Sequence, residues 1–191
     1  FYTNLFGQDV VDAIRREPGV ADAEGEVRTS FRWKLPGEAD WRDGTLIARA
    51  DYKTQHMYPI ELLNGDWPAK RALAVERMSS EYFKIPIGTT ILVEAGPREY
   101  RLPIEGVVRH PYTPPPQISM GNATFCATPE TVAWLADREE GFDTLNVRLE
   151  SFSQESAKPA AERIKDRLER MDLPVGYYDI VDPEVHWAQQ M

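Results

Sequence analysis

The chain of 191 residues has a single cysteine, Cys126, and only three histidines, His56, His110 and His186. One thiol excludes an internal disulfide and any zinc site built from several thiolates. The histidines are far apart in sequence and form no His-x-x-x-His or His-Glu pattern, so a metalloprotease reading has no support. No window approaches the roughly 18 uninterrupted apolar residues of a membrane-spanning helix, and the first residues show no basic-then-apolar leader. Lys and Arg are few, 22 against 31 acidic side chains, for a net charge of -9. Nowhere are they dense enough to track a phosphate backbone, which argues against nucleic acid and against adhesion to an anionic lipid surface. There is no P-loop, no Gly-x-Gly-x-x-Gly after a strand, and no nucleophile elbow around Ser79-Ser80 or Ser119.

What is present reads as a folded, soluble segment: 42% of residues are apolar and 28% charged. That length allows one sizeable core or two small ones. Because the chain starts at Phe1 and stops at Met191 on no obvious boundary, it reads as a piece cut from a longer protein. Val10, Ala13, Ile14 and Glu17 follow helical spacing and Pro18-Gly19 ends that helix. Val27, Thr29, Phe31, Trp33 and Leu35 then alternate with Glu26, Arg28, Ser30, Arg32 and Lys34, the strongest strand signal in the chain. A turn at Pro36 to Asp40 and a run from Thr45 to Asp51 complete a hairpin. Leu73-Ala74-Val75 reads as a short buried strand and Ser79 to Tyr82 as one helical turn. Thr90 to Val93 and Tyr100 to Val108 form a second hairpin, interrupted at Pro103. Ala123 to Ala127 reads as a strand, and Thr128-Pro129-Glu130 starts a helix. The last third is β-α-β: a strand from Thr144, a helix with an Ala160, Ala161, Ile164, Leu168 and Met171 stripe and Pro159 in its first turn, and a strand from Val175 to Val181. A pair of β-α-β strands needs either a parallel crossover or a split version of it.

Few residues invite a chemical role. Carboxylate pairs such as Glu139-Glu140, or Asp9 with Asp12, read as solvated surface, and Cys126 between Phe125 and Ala127 as a buried structural thiol. Trp33, Trp41 and Trp134 occupy strand, turn and helix positions suited to packing. A partner or substrate contact is placed in the loop of Tyr112, Pro114, Pro115, Pro116 and Met120, because a proline-stiffened segment loses little entropy on docking; the alternative is an ordered loop lying on its own domain. In Leu62-Leu63-Asn64-Gly65-Asp66-Trp67-Pro68, Gly65 and Pro68 read as punctuation at a subdomain joint. Trp67 is expected to be its mostly buried plug.

Taken in order, several stretches resemble the extracytoplasmic domain of MacB/FtsX-type ABC transporter permeases, the group that includes the lipoprotein-releasing permeases. VVDAIRREPGVADAEG is similar to the family's first helix and Pro-Gly-Val step into a strand. LLNGDWP resembles the close of its first part, and ALAVERMSSEYFKIPIGTTILV its strand, short helix and approach to the next hairpin. YRLPIEGVVRHP, TLNVRLE and AAERIKDRLERM resemble its later strands and closing helix, and DPEVHWAQQ its approach to the next membrane helix. The resemblance implies an α+β fold: a porter-like α/β subdomain from both chain ends, residues 1–70 and 142–191, with a small β-rich subdomain, 71–141, inserted between them. It implies a non-catalytic domain with no cofactor of its own, ATP being bound by a separate ATPase subunit or domain. The implied partners are that ATPase, the permease's own membrane helices, a second permease in a dimer, and a periplasmic adaptor or lipoprotein, in an extracytoplasmic setting with efflux among the family's tasks. Two rivals stay open: a free-standing extracytoplasmic ligand-binding or adaptor module, and a hydrolase whose residues converge around His110 or His186.

Overall fold

A computed structural model describes residues 1–182. The elements in chain order are β1 (Tyr2–Phe6), α1 (Gln8–Arg15), β2 (Val20–Lys34), β3 (Arg42–Arg49), β4 (Glu61–Gly65), β5 (Leu73–Glu76), α2 (Arg77–Phe83), β6 (Thr90–Ala95), β7 (Arg98–Arg109), β8 (Ala123–Ala127), α3 (Pro129–Ala136), β9 (Phe142–Leu149), α4 (Gln154–Glu169) and β10 (Val175–Tyr177). They fall into two compact units, one made of Phe1–Glu26 with the residues from Gly141 onward, the other of Val27–Glu140.

In the first unit the strands lie in the order β10-β1-β9-β2, and every neighbouring pair is antiparallel. It follows that β1 runs parallel to β2 with β9 between them, and β9 parallel to β10 with β1 between them. Two split β-α-β motifs therefore interlock, with α1 and α4 as their crossovers, a ferredoxin-like arrangement. Asp9 in the first turn of α1 and Arg15 in its last suit the helix dipole, and Val10, Val11 and Ile14 supply its buried face. Ser153 caps α4 by accepting the Ser156 N–H at 3.1 Å. Ala157, Ala160, Ala161, Ile164 and Leu168 form the buried stripe. Since α4 starts at Gln154, Pro159 lies inside the helix rather than in its first turn, and its turn lacks the hydrogen bond to the residue 155 carbonyl. Gly25 stands opposite Leu145, where an added Cβ would meet the Phe142 ring at 2.4 Å.

The second unit takes β2 from Val27 onward. Its pairings close on themselves: β2 to β3, β3 parallel to β8, β8 antiparallel to β5, β5 parallel to β7, β7 antiparallel to β6, and β6 antiparallel to the end of β2. A closed ring of strands leaves no edge along that path. β7 achieves this by length: Arg98 to Pro103 pair with β6, while Ile104 to Arg109 serve β5 and, on the other side, β4. Pro103 thus does not interrupt the strand; the ladder bond beside it is made by Ile104, whose N–H reaches the Thr89 carbonyl at 2.8 Å. Period-two geometry sorts the side chains. Leu46, Phe125 and Val75 align across three strands on one face, where Trp33 meets Phe125 edge-on. Ile47, Cys126 and Ala74 align on the other, in a cluster with Tyr52, Ile60 and Val108.

The subdomain boundaries differ from the sequence expectation of 70/71 and 141/142. They fall after Glu26 and after Glu140. The first difference has a plain cause: the boundary lies within β2, one continuous 15-residue strand with no turn at Glu26, so no break between elements marks it. The change of texture at Pro68 is a turn inside the second unit. Likewise the last strand ends at Tyr177 rather than Val181. His186 and the DPEVHWAQQ stretch after Asp182 lie outside the described residues.

Candidate partner-contact loop

The loop of residues 110–122 joins β7 to β8. Three prolines in a row can neither continue the β7 ladder nor form the interior of a helix, so the chain turns, and carbonyls that have no ladder partner take up local donors. The Pro115 carbonyl accepts the N–H groups of Ile118 (2.9 Å) and Ser119 (3.1 Å), and the Pro116 carbonyl accepts that of Gly121 at 2.8 Å. Ser119 Oγ lies 3.2 Å from the carbonyls of both Pro115 and Asn122. Asn122 Nδ2 donates to Thr45 Oγ1 at 2.9 Å, tying the loop to β3. Met120 and Gly121 are both left-handed, at φ 53° and 80°. Glycine adopts that conformation freely and methionine at a cost, so Met120 is held there by the turn around it.

At the start of the loop His110 is buried, 5% exposed. Its Nδ1 accepts the Tyr112 N–H at 3.1 Å, which places the ring proton on Nε2, a buried atom with no partner among the described residues. Burial, with the positive charges of Arg28 and Arg49 behind it, lowers its pKa to about 3 and keeps the ring neutral. Because neither ring nitrogen bonds a hydroxyl or thiol, His110 is not poised as the base of a nucleophile.

The structure divides the five loop residues named from sequence. Met120 is 100% exposed and Tyr112 37%, its ring edge-on to Tyr58 at 4.8 Å. Pro114 is exposed and Pro115 half-buried, but Pro116 is buried and anchors the turn. Sequence reasoning passed over Ile118, 60% exposed, and Tyr82 of α2, 47% exposed. A groove of about 540 Å³ between α2 and the turn is lined by Arg77, Met78, Glu81, Tyr82, Lys84, Pro115 and Gln117. The signal for Tyr82 was available, since a tyrosine on a seven-residue helix beside Phe83 cannot share its buried direction.

The other named group lies elsewhere. Gly65, Trp67 and Pro68 sit inside the second unit, not at its boundary. Gly65 pairs with Gly106, and an added Cβ would meet the Glu105 carbonyl oxygen at 2.3 Å from Gly65, or that of Asp66 at 2.2 Å from Gly106. Glycine is required on both strands because the backbones touch. Trp67 is half-buried, stacked on Tyr52 with ring centroids 4.8 Å apart and planes 10° from parallel. Tyr52 is in turn held through its hydroxyl, 2.7 Å from the Ala127 carbonyl. Trp67 is the cover of the Ile47–Cys126 cluster, not a plug between subdomains.

No protein-family model and no curated protein matches the chain. Solved structures do. The extracellular domain of the ABC-type transporter YknZ from Gram-positive bacteria superposes with a TM-score of 0.57 at 13% identity, covering 88% of this chain and 84% of that one. The periplasmic region of MacB from Actinobacillus actinomycetemcomitans gives 0.56 at 10% identity, over 88% and 75%. A domain assigned to a permease protein of Porphyromonas gingivalis gives 0.55 at 18% identity, over 97% and 88%. The chain has the fold of extracytoplasmic permease domains. Within this permease-domain fold, the interlocked β-α-β unit answers to the expected porter-like part. Among the described residues, no helix is long and apolar enough to cross a membrane.

Proposed function

We propose that the chain is the non-catalytic extracytoplasmic domain of an ABC transporter permease subunit, which couples ATP-driven movement of membrane helices to the handling of a substrate or partner protein outside the membrane. The observation that carries this reading is the fold shared with the YknZ and MacB domains over 88% of the chain. The first unit supports it mechanically. Its first and last strands are neighbours, Tyr2 opposite Tyr177, with Phe1 stacked on Tyr178 at 5.4 Å. A body whose chain enters and leaves on adjacent strands suits a mount on two adjacent membrane helices, and packed elements transmit such motion as units. ATP is bound by the separate ATPase, not by this domain.

The test is membrane topology in the full gene product. Reporter fusions are expected to place one membrane span on either side of residues 1–191, with this segment on the outer face and an ABC ATPase co-purifying in detergent. A gene product with a cleaved secretory leader and no flanking spans would instead establish a free-standing ligand-binding or adaptor module. Stoichiometric binding of ATP to the domain in a calorimeter would also overturn the proposal.

A further inference from the structure

We infer that α2 and the 115–120 turn form a docking surface for an amphipathic, acidic segment of a partner protein. This rests on the reading of the chain as a domain that handles partners outside the membrane, and it names the chemistry of one such partner. Three observations converge. The first is apolar exposure: Met120 at 100% and Ile118 at 60% stand out from the turn, and Tyr82 at 47%, with Met78 and Pro115, lines the groove of about 540 Å³ between α2 and that turn, among charged and polar side chains. A side chain left fully exposed on a turn that fixes its backbone at φ 53° contributes nothing to the core and is costly where it stands. The second is order. Four backbone hydrogen bonds and the Asn122 to Thr45 bond hold the turn before anything docks, so little conformational entropy remains to be lost.

The third observation is charge, and it selects the occupant. On a chain of net charge -9, the groove rim carries two cations, Arg77 and Lys84, against one carboxylate, Glu81. Arg77 and Glu81 stand 3.6 Å apart and offset each other, which leaves Lys84 as the charge of the rim with no ion pair among the described residues. Lys84 is placed at the rim by its left-handed backbone, φ 58°, which ends α2. A partner that sets one or two apolar side chains in the groove and an Asp or Glu beside Lys84 matches both features, whereas a basic segment meets the wrong sign. An anionic bilayer is extended and would meet the net negative charge of the whole chain, whereas a short segment meets the rim alone.

The experiment pans a phage-displayed library of random 15-residue peptides against the 191-residue chain, with an Ile118→Ser/Met120→Ser double variant as competitor. Both positions are exposed, and circular dichroism checks that the variant folds. Enriched peptides are expected to pair apolar anchors with Asp or Glu. A synthetic peptide from the enriched set should bind the double variant at least about tenfold more weakly, as the loss of two buried aliphatic contacts implies. Its affinity should fall several-fold between 50 and 300 mM salt. Lys84→Glu should shift enrichment toward Lys and Arg. The inference is overturned if enrichment ignores charge, if the double variant binds equally, if the chain binds phosphatidylglycerol vesicles instead, or if sedimentation shows that a second copy occupies the surface. None of these outcomes touches the topology result, so this inference and the permease reading can fail separately.

Discussion

Trp67→Ala removes an indole that lies flat on Tyr52 and covers one end of the Ile47, Ala74 and Cys126 cluster. A fully buried tryptophan cut to alanine costs about 3–5 kcal/mol. Trp67 is only half-buried, so roughly half of that transfer and cavity loss applies, with about 0.5–1.5 kcal/mol added for the offset stack. The expected loss is about 2–4 kcal/mol. Urea denaturation followed by circular dichroism measures it, with Tyr52→Leu and the double variant completing a cycle. Coupling between the two positions of about 0.5–1.5 kcal/mol is expected, because the rings touch. Tyr52→Phe separates the hydroxyl, which is within reach of the carbonyls of Ile47 and Ala127, from the ring. A Trp67→Ala loss below about 0.5 kcal/mol, in the range of an uninvolved surface substitution, would refute the stack as a packing element. Additive losses at the two positions would refute it equally.

Gly106→Ala should destabilise the chain by about 1–3 kcal/mol, the range for overpacking, because its Cβ meets the Asp66 carbonyl oxygen at 2.2 Å and backbone cannot swing aside. An unchanged urea midpoint would show that β4 and β7 separate freely. His110→Asn, which keeps an acceptor for the Tyr112 N–H, tests the neutral histidine. The folded pKa of about 3 lies below the ordinary 6.5, so the unfolded chain binds a proton first as pH falls, and stability is lost below 6.5. Between pH 6.5 and 5 the wild type should lose about 1.6 kcal/mol that the variant keeps; equal slopes would refute the burial argument. Burial raises the Glu76 carboxyl above its ordinary 4.5, opposed by hydrogen bonds from the Met78 and Ser79 N–H groups. Its contribution is therefore full below 4.5 and lost as pH rises through the folded pKa, so Glu76→Gln should gain stability relative to wild type between pH 4 and 7. A relative loss over that range, measured by thermal denaturation, would reverse the sign.

Elements whose period matches their burial were legible. The alternation of Val27, Thr29, Phe31 and Trp33 became the core-facing side of β2, and the Ala160, Ala161, Ile164 and Leu168 stripe became the buried face of α4. β1 and β4 were not legible, because each is a strand through its neighbours alone. β4 has no buried residue at all and owes its conformation to the ladder with β7, and β1 is held between β9 and β10. The candidate loop was legible as a rigid segment, since proline restricts the backbone wherever it stands. Which of its side chains face outward was not.

By itself, the sequence determined the lack of a second thiol and of a nucleotide-loop motif, the α+β class, the β-α-β order at the end of the chain and the stiffness of the proline loop. All of these depend on residue type or on spacing within one element. Only the tertiary structure decided that the subdomains part inside β2, that Gly65 and Gly106 bring two backbones together, that Trp67 covers a cluster in the second unit, and that Pro116 is buried while Ile118 and Met120 are not. Those outcomes depend on which strands pair across long stretches of chain, and local preference carries no record of the distant partner.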